Sequence, residues 1–152
     1  MSERIAALTA ADALWDEVAR CAEACSWRAG KSLASAMREG RIAGWERVFA
    51  ALDGGQVAGF CTLCAEDCLP DAPYSPYIGY VFVGESHRGH RLSQRLIDDA
   101  ASYAASLGFE RVYLVSDHRG LYEKYGFIAV DAYPAPWDSE EIETVFARET
   151  HP

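Results

Sequence analysis

The chain has 152 residues, of which 50% are hydrophobic and 24% charged, with a formal net charge of -9; this fits one globular domain spanning residues 1–152 with a core of its own. The acidity argues against nucleic acid, whose phosphates need a basic face, and favours a cationic partner such as an amine. No apolar run is long enough to span a bilayer and no signal-peptide pattern opens the chain, so no membrane partner and a cytoplasmic location are expected.

Ser2–Thr9 carries a faint strand pattern. From Ala11 the pattern turns helical, with Leu14, Val18, Cys21 and Cys25 on one stripe and Asp12 near the start, where an acid suits the helix dipole. Trp27–Arg38 reads as a second helix with Leu33 and Met37 inward and Gly40 as its stop. Trp45–Leu52 and Gln56–Ala65 then form a hairpin, because Asp53-Gly54-Gly55 between them is a tight-turn signal.

The five cysteines, Cys21, Cys25, Cys61, Cys64 and Cys68, are an odd number and are expected as free thiols. The spacing Cys61-x-x-Cys64-x-x-x-Cys68 raises a metal or redox site. No second pair or histidine lies at zinc spacing, and on a strand Cys61 and Cys64 face opposite sides. Small core hydrophobes and no metal are expected instead.

The segment LPDAPYSPY follows, where Pro70, Pro73 and Pro76 deny regular structure. Tyr74 and Tyr77 leave two readings open there, a binding loop or a rigid connector. Tyr77–Val83 is a short β-forming apolar run between Pro76 and Gly84, which suits a buried strand. The chain then breaks into Gly84-Glu85-Ser86-His87-Arg88-Gly89-His90-Arg91. After it Leu92, Leu96, Ala100, Tyr103, Ala104 and Leu107 recur at helical spacing up to Gly108. Arg111–Val115 is a further strand, joined by a crossover long enough to run parallel to Tyr77–Val83. Gly120–Tyr125 is a short helix. Phe127–Tyr133 and Glu143–Arg148 read as a closing pair of strands, separated by AYPAPWDSE.

A strand, a basic glycine-containing turn and a helix in that order aim free helix N–H groups and two arginines at one spot, which suits a phosphate. The order alone leaves a purely structural turn open. Its residues add more. Val83 followed by Arg88-Gly89-His90-Arg91-Leu92-Ser93 resembles the pyrophosphate loop of the GNAT N-acetyltransferase superfamily, usually Arg/Gln-x-x-Gly-x-Gly/Ala. Gly120-Leu121-Tyr122-Glu123-Lys124-Tyr125-Gly126-Phe127 resembles that family's second signature, with Arg111–Val115 between the two. Arg91 stands where the family has glycine, and fits if its φ is helical and its side chain turns outward or onto a phosphate. Ser93 stands where the family has glycine or alanine and offers a hydroxyl.

The resemblance implies an α/β (α+β) fold: a mixed, mostly antiparallel sheet of six to seven strands with helices on both faces. It implies acetyl-CoA as co-substrate, with main-chain donors near Val81, Phe82 and Val83 for the pantetheine and thioester carbonyl. The pyrophosphate would lie on Arg88, Gly89, His90, Arg91, Leu92 and Ser93. One positioned oxyanion donor is worth about 3 kcal/mol. Tyr122 matches the family tyrosine that protonates the departing thiolate, an uphill transfer from a phenol near about 10 to a thiol near about 8.5 that needs positioning. Packing between helix and sheet is the other reading of Tyr122; Tyr125 reads as structural.

Some relatives carry a basic glutamate where Tyr77 stands. Glu66, Asp67, Glu85, Asp117 and His118 are the alternatives at strand ends. His118 has the best ordinary pKa for a base; Glu85 and a chain of waters follow. The implied function is direct acetyl transfer to a primary amine in a ternary complex. A non-catalytic acyl-CoA-binding or regulatory module is the alternative. The acceptor is a small-molecule or peptide amine: an aminoglycoside-like antibiotic, a polyamine, an amino acid, or a protein N-terminus or lysine. Trp27–Arg38, Leu69–Pro76 and Ala132–Asp138 would shape its pocket. Relatives that pair through their last strands also admit a homodimer.

Overall fold

The structure is a computed structural model and describes residues 3–89 and 91–151. The elements are β1 (Glu3–Leu8), α1 (Leu14–Ala24), α2 (Ala29–Arg38), β2 (Arg47–Asp53), β3 (Gln56–Cys64), β4 (Tyr77–Val83), α3 (Leu92–Ser106), β5 (Arg111–Ser116), β6 (Ile128–Ala135) and β7 (Asp138–Glu149), with single 3-10 turns at Glu85–His87 and Tyr122–Tyr125. Seven strands form one sheet in the order β1-β2-β3-β4-β5-β7-β6. It is mostly antiparallel, and β4 and β5 are the parallel pair, with Tyr77 opposite Tyr113. The expected mixed sheet is therefore present. Among the described residues no helix is long and apolar enough to cross a membrane.

The chain clusters into two compact units, Met1–Leu63 with Tyr80–Ala100, and Cys64–Gly79 with Ala101–Pro152. In the first, β2 and β3 close through Gly54 and Gly55 at φ 60° and 91°. A two-residue hairpin loop of this kind needs positive φ at both positions, which glycine supplies without a Cβ clash. The buried face of α1 is Trp15, Val18, Ala19 and Ala22. The expected stripe of Leu14, Val18, Cys21 and Cys25 holds only at Val18; the other three are half-buried. Trp15 is the reason. It is the largest apolar side chain on the helix, and its indole N–H donates to the Met37 carbonyl at 3.3 Å, which turns the helix by one residue. Leu33 and Met37 of α2 are buried as expected. Gly30 lets the two helices approach, since a Cβ there would overlap the Ala22 carbonyl oxygen. Phe49, Leu52, Phe60, Leu63, Leu92, Leu96 and Ile97 form the core of this unit.

In the second unit β7 runs antiparallel to both β5 and β6. The expected loop over residues 132–140 is instead strand. β6 and β7 are joined only by Pro136 and Trp137, with Ala135 opposite Asp138. Pro134 sits on an edge strand, where a missing N–H costs little, and the acids of 138–141 face water, so the segment lacks a half-buried pattern. Leu107 falls beyond the end of α3 and is 40% exposed rather than inward. The turn at Tyr122–Tyr125 closes on Gly126, whose φ is 92°.

The five cysteines are free thiols. Cys61 is fully buried, with its thiol directed at the Leu96 carbonyl at 3.7 Å. The remaining four are half-buried.

Candidate active site

The basic turn belongs to the first unit. β4 ends at Val83, and the next N–H, from Gly84, donates to the Ala58 carbonyl at 2.8 Å. The 3-10 turn places Glu85 in solvent and draws His87 onto the β2–β3 hairpin, with Nε2 3.0 Å from Asp53 Oδ2. Gly89 follows at φ 88° and Arg91 at φ 59°. The Arg91 carbonyl accepts the Arg95 N–H at 3.1 Å, the first hydrogen bond that opens α3. The helical φ expected for Arg91 is thus not found: the chain must reverse here to present the helix start, so arginine adopts the glycine conformation. A left-handed non-glycine residue costs about 1–2 kcal/mol.

Arg88 donates from Nε to the Val83 carbonyl at 3.1 Å, and its guanidinium lies 6.0 Å from the Phe82 ring centroid. The side chain is exposed, so the outer N–H groups of the fork face solvent. Leu92 is buried and gives its side chain to the core, so its only contribution to a ligand here is the main-chain N–H. Ser93 lies in the first turn of α3. His90 lies outside the described residues.

Val81, Phe82 and Val83 are half-buried on β4. Gly59 on β3 makes room for them, since a Cβ there would lie 2.6 Å from the Phe82 carbonyl oxygen. Just before them Tyr80 has φ 50°, a rare conformation for an aromatic residue. Its hydroxyl pairs with Ser32 Oγ at 3.0 Å, and Trp27 meets its ring edge-on at 6.1 Å. Trp27 also stacks on Phe82 at 6.0 Å, and Phe82 on Phe60 at 5.2 Å. Trp27 therefore packs on the end of β4.

The second unit holds Tyr122 and His118. Tyr122 is buried, with its ring 6.1 to 6.3 Å from Phe146, Tyr125 and Phe127. The packing role considered for its ring is realised. His118 is exposed beyond the end of β5, with its N–H on Ser116 Oγ at 3.0 Å.

Two acids of this unit stand out, the half-buried Asp67, named in the sequence as a candidate base, and the buried Glu143, which was not. Burial pushes the Asp67 carboxyl above the ordinary range, against the Cys68 N–H at 2.6 Å that pulls it down. Glu143 is 8% exposed, and burial together with Asp117, Glu141 and Asp67 pushes it up while His118 pulls it down. Burial and then Asp67 push the Cys68 thiol up to about 12, which removes it as a nucleophile. Tyr77 is 1% exposed, and burial followed by Asp67 pushes it up to about 12. Its hydroxyl oxygen is buried and has no hydrogen-bond partner among the described residues. The only sequence signal for Glu143 was an acid at the head of a strand.

Among the described residues no group of three or more His, Cys, Asp or Glu is placed to hold a metal ion. Tyr74 and Tyr133 both donate to Asp131 Oδ2, at 2.8 and 2.9 Å, which ties the proline loop to β6 and keeps the Asp131 carboxyl low.

The class this geometry defines is matched by comparison. A sequence model of the acetyltransferase (GNAT) family matches residues 11–127, and the chain belongs to that family. Solved structures agree in fold. The chain is similar to an aminoglycoside 6'-acetyltransferase type Ii, with 20% identity, 98% of each chain covered and a TM-score of 0.76. It is similar to the aminoglycoside 6'-N-acetyltransferase from Enterococcus faecium, with 18% identity, 98% of each chain covered and a TM-score of 0.76. An aminoglycoside 6'-N-acetyltransferase complexed with coenzyme A gives 18% identity, 98% of each chain covered and a TM-score of 0.74. No curated protein matches the sequence.

Proposed function

We propose that this GNAT-family chain is an N-acetyltransferase that moves an acetyl group from acetyl-CoA to a primary amine by direct attack. The observation that carries the reading is the strand–turn–helix at Val83–Ser93, where left-handed Gly89 and Arg91 present the start of α3. The main-chain N–H groups of that helix start suit a pyrophosphate, and Arg88 adds charge beside them. In the reaction the neutral amine nitrogen bonds to the thioester carbonyl carbon, the C–S bond breaks, and coenzyme A leaves as a thiolate that takes a proton. Main-chain donors near Val81, Phe82 and Val83 are assigned to the carbonyl oxygen, and Tyr122 to the proton. His118 and Glu85, both exposed, are kept as candidates to relay the amine proton to solvent. The acceptor class is a small-molecule amine, in line with the aminoglycosides named for the structural neighbours.

The test is release of free thiol from acetyl-CoA across an amine panel that includes aminoglycosides, polyamines and amino acids. Amine-dependent thiol release is expected. Coenzyme A binding without release for any amine would leave the non-catalytic acyl-CoA-binding reading in its place.

A further inference from the structure

The basic turn is fastened to the first unit by a side-chain pair that contact with a nucleotide does not itself require. His87 directs Nε2 at Asp53 Oδ2, 3.0 Å away, and its Nδ1 lies 3.1 Å from Ser86 Oγ. A carboxylate accepts and does not donate, so Nε2 carries the hydrogen and donates to Asp53. In the neutral ring Nδ1 is then left to accept from the Ser86 hydroxyl, and one tautomer satisfies both contacts. The imidazole is 16% exposed and the carboxylate 28%. The surface pair of Arg20 and Glu17 has 63% and 53%. Partial shielding of this kind keeps a charged hydrogen bond from being diluted by water.

Asp53 ends β2 and leads into the hairpin turn whose Gly54 and Gly55 hold positive φ. The strand behind it is buried from Val48 to Leu52, so the carboxylate stands on a rigid element. The other hydrogen bonds of the described residues among 85–91 run within the strand, the turn and the helix start. His87 N–H donates to Gly84, Arg88 N–H to Glu85 and Arg88 Nε to Val83, while the Arg91 carbonyl accepts from Arg95. Among these residues the bond from His87 to Asp53 is the tie to a separate element, one residue before Arg88 and two before left-handed Gly89. A loop that presents main-chain donors to a pyrophosphate gains from such a tie, because order present beforehand need not be created on binding.

We infer that Asp53, acting through His87, is a positioning residue for the nucleotide turn: it holds the main chain of Arg88 and Gly89 in the conformation that receives a pyrophosphate. This rests on the reading of Arg88–Ser93 as the pyrophosphate site. The sign of the effect separates support from plain electrostatics. A carboxylate near an anion site repels the anion, so deleting its charge alone would tighten binding. Deleting a support loosens it.

The experiment is calorimetric titration of the full chain with coenzyme A. Asp53→Ala and His87→Phe are each expected to weaken binding roughly tenfold, and the double variant no further than either single one, because the two residues act as a unit. Asp53→Asn, whose amide oxygen still accepts from Nε2, is expected to recover most of the affinity lost in Asp53→Ala. Far-ultraviolet circular dichroism at the titration temperature reports that each variant is folded. If Asp53→Ala is misfolded, His87→Phe compared with His87→Gln, which restores an N–H donor, carries the same test. The inference is overturned if the folded variants bind coenzyme A as tightly as the unaltered chain or more tightly, if the two losses add in the double variant, or if Asp53→Asn stays as weak as Asp53→Ala. Failure of the unaltered chain to bind coenzyme A would sink the acetyltransferase reading and this inference with it, whereas binding that the variants leave untouched sinks the inference alone.

Discussion

The turn at Val83–Ser93 and the acids Asp67 and Glu143 store free energy in opposite forms. At the turn the cost is conformational: Arg91 is held at φ 59° and nearby Tyr80 at φ 50°, each of order 1–3 kcal/mol. The charges there are exposed cations, cheap to keep and easy to bring to an anion. In the second unit the cost is electrostatic, because burial raises the Asp67 and Glu143 carboxyls, with His118 opposing it at Glu143. Strain of the first kind fixes main-chain donors in space. Desolvation of the second kind makes the carboxyls easier to protonate. The comparison teaches that one fold can carry its local cost in backbone conformation at one place and in desolvated charge at another.

The largest expected effect breaks the chemistry while sparing both regions. Tyr122→Phe should lower turnover by roughly 100-fold or more, the scale of general acid catalysis, with coenzyme A affinity near normal. Unchanged turnover would remove Tyr122 from the proton-donor role. Gly59→Ala comes next. The new Cβ would sit 2.6 Å from the Phe82 carbonyl, so the end of β4 must shift. Overpacking of this kind costs about 1–3 kcal/mol, and coenzyme A affinity should fall with it. A thermal melt and a titration on the same sample check both.

Smaller effects sharpen the contrast. Both Asp67 and Glu143 have folded pKa values raised above the ordinary carboxylate range. Such groups add stability that is fully present below their unfolded pKa, near about 4, and is lost as pH rises through the folded one. Glu143→Gln should therefore melt higher than the unaltered chain at neutral pH, and the gap should close as pH falls. A gap that widens toward acid pH would mean that Glu143 is stabilised as a carboxylate. Arg91→Gly should show the smallest change, a gain of up to about 1 kcal/mol as left-handed strain is released, partly offset by the greater freedom of glycine when unfolded. Loss of stability in this variant would show that the arginine side chain matters more to the turn than its backbone does.

The same contrast explains what the sequence disclosed. β4, the basic turn and α3 form one continuous stretch, so their order, spacing and glycine could be read directly. Even there, the left-handed φ of Arg91 was hidden, because backbone conformation follows from how the helix start must be presented rather than from the arginine. The acids that act on Glu143 include Asp67 and Asp117, which no local pattern connects to it. Glu143 looks like any strand-edge glutamate until β5, β7 and the loop after β3 come together around it. The stripe of α1 was misread by one residue because Trp15 outcompetes Leu14 for the interior. The β6–β7 hairpin was misread as a loop because its exposed strands carry Pro134 and a run of acids in place of alternation.

The most direct measurement is an amide NMR titration of the chain with coenzyme A. Saturable shifts concentrated at Gly89, Arg91, Leu92 and Ser93, weakened when Arg88 is replaced by alanine, are the predicted result. No shifts at these amides at millimolar coenzyme A, or shifts confined to residues elsewhere, would contradict the assignment of the nucleotide to this turn.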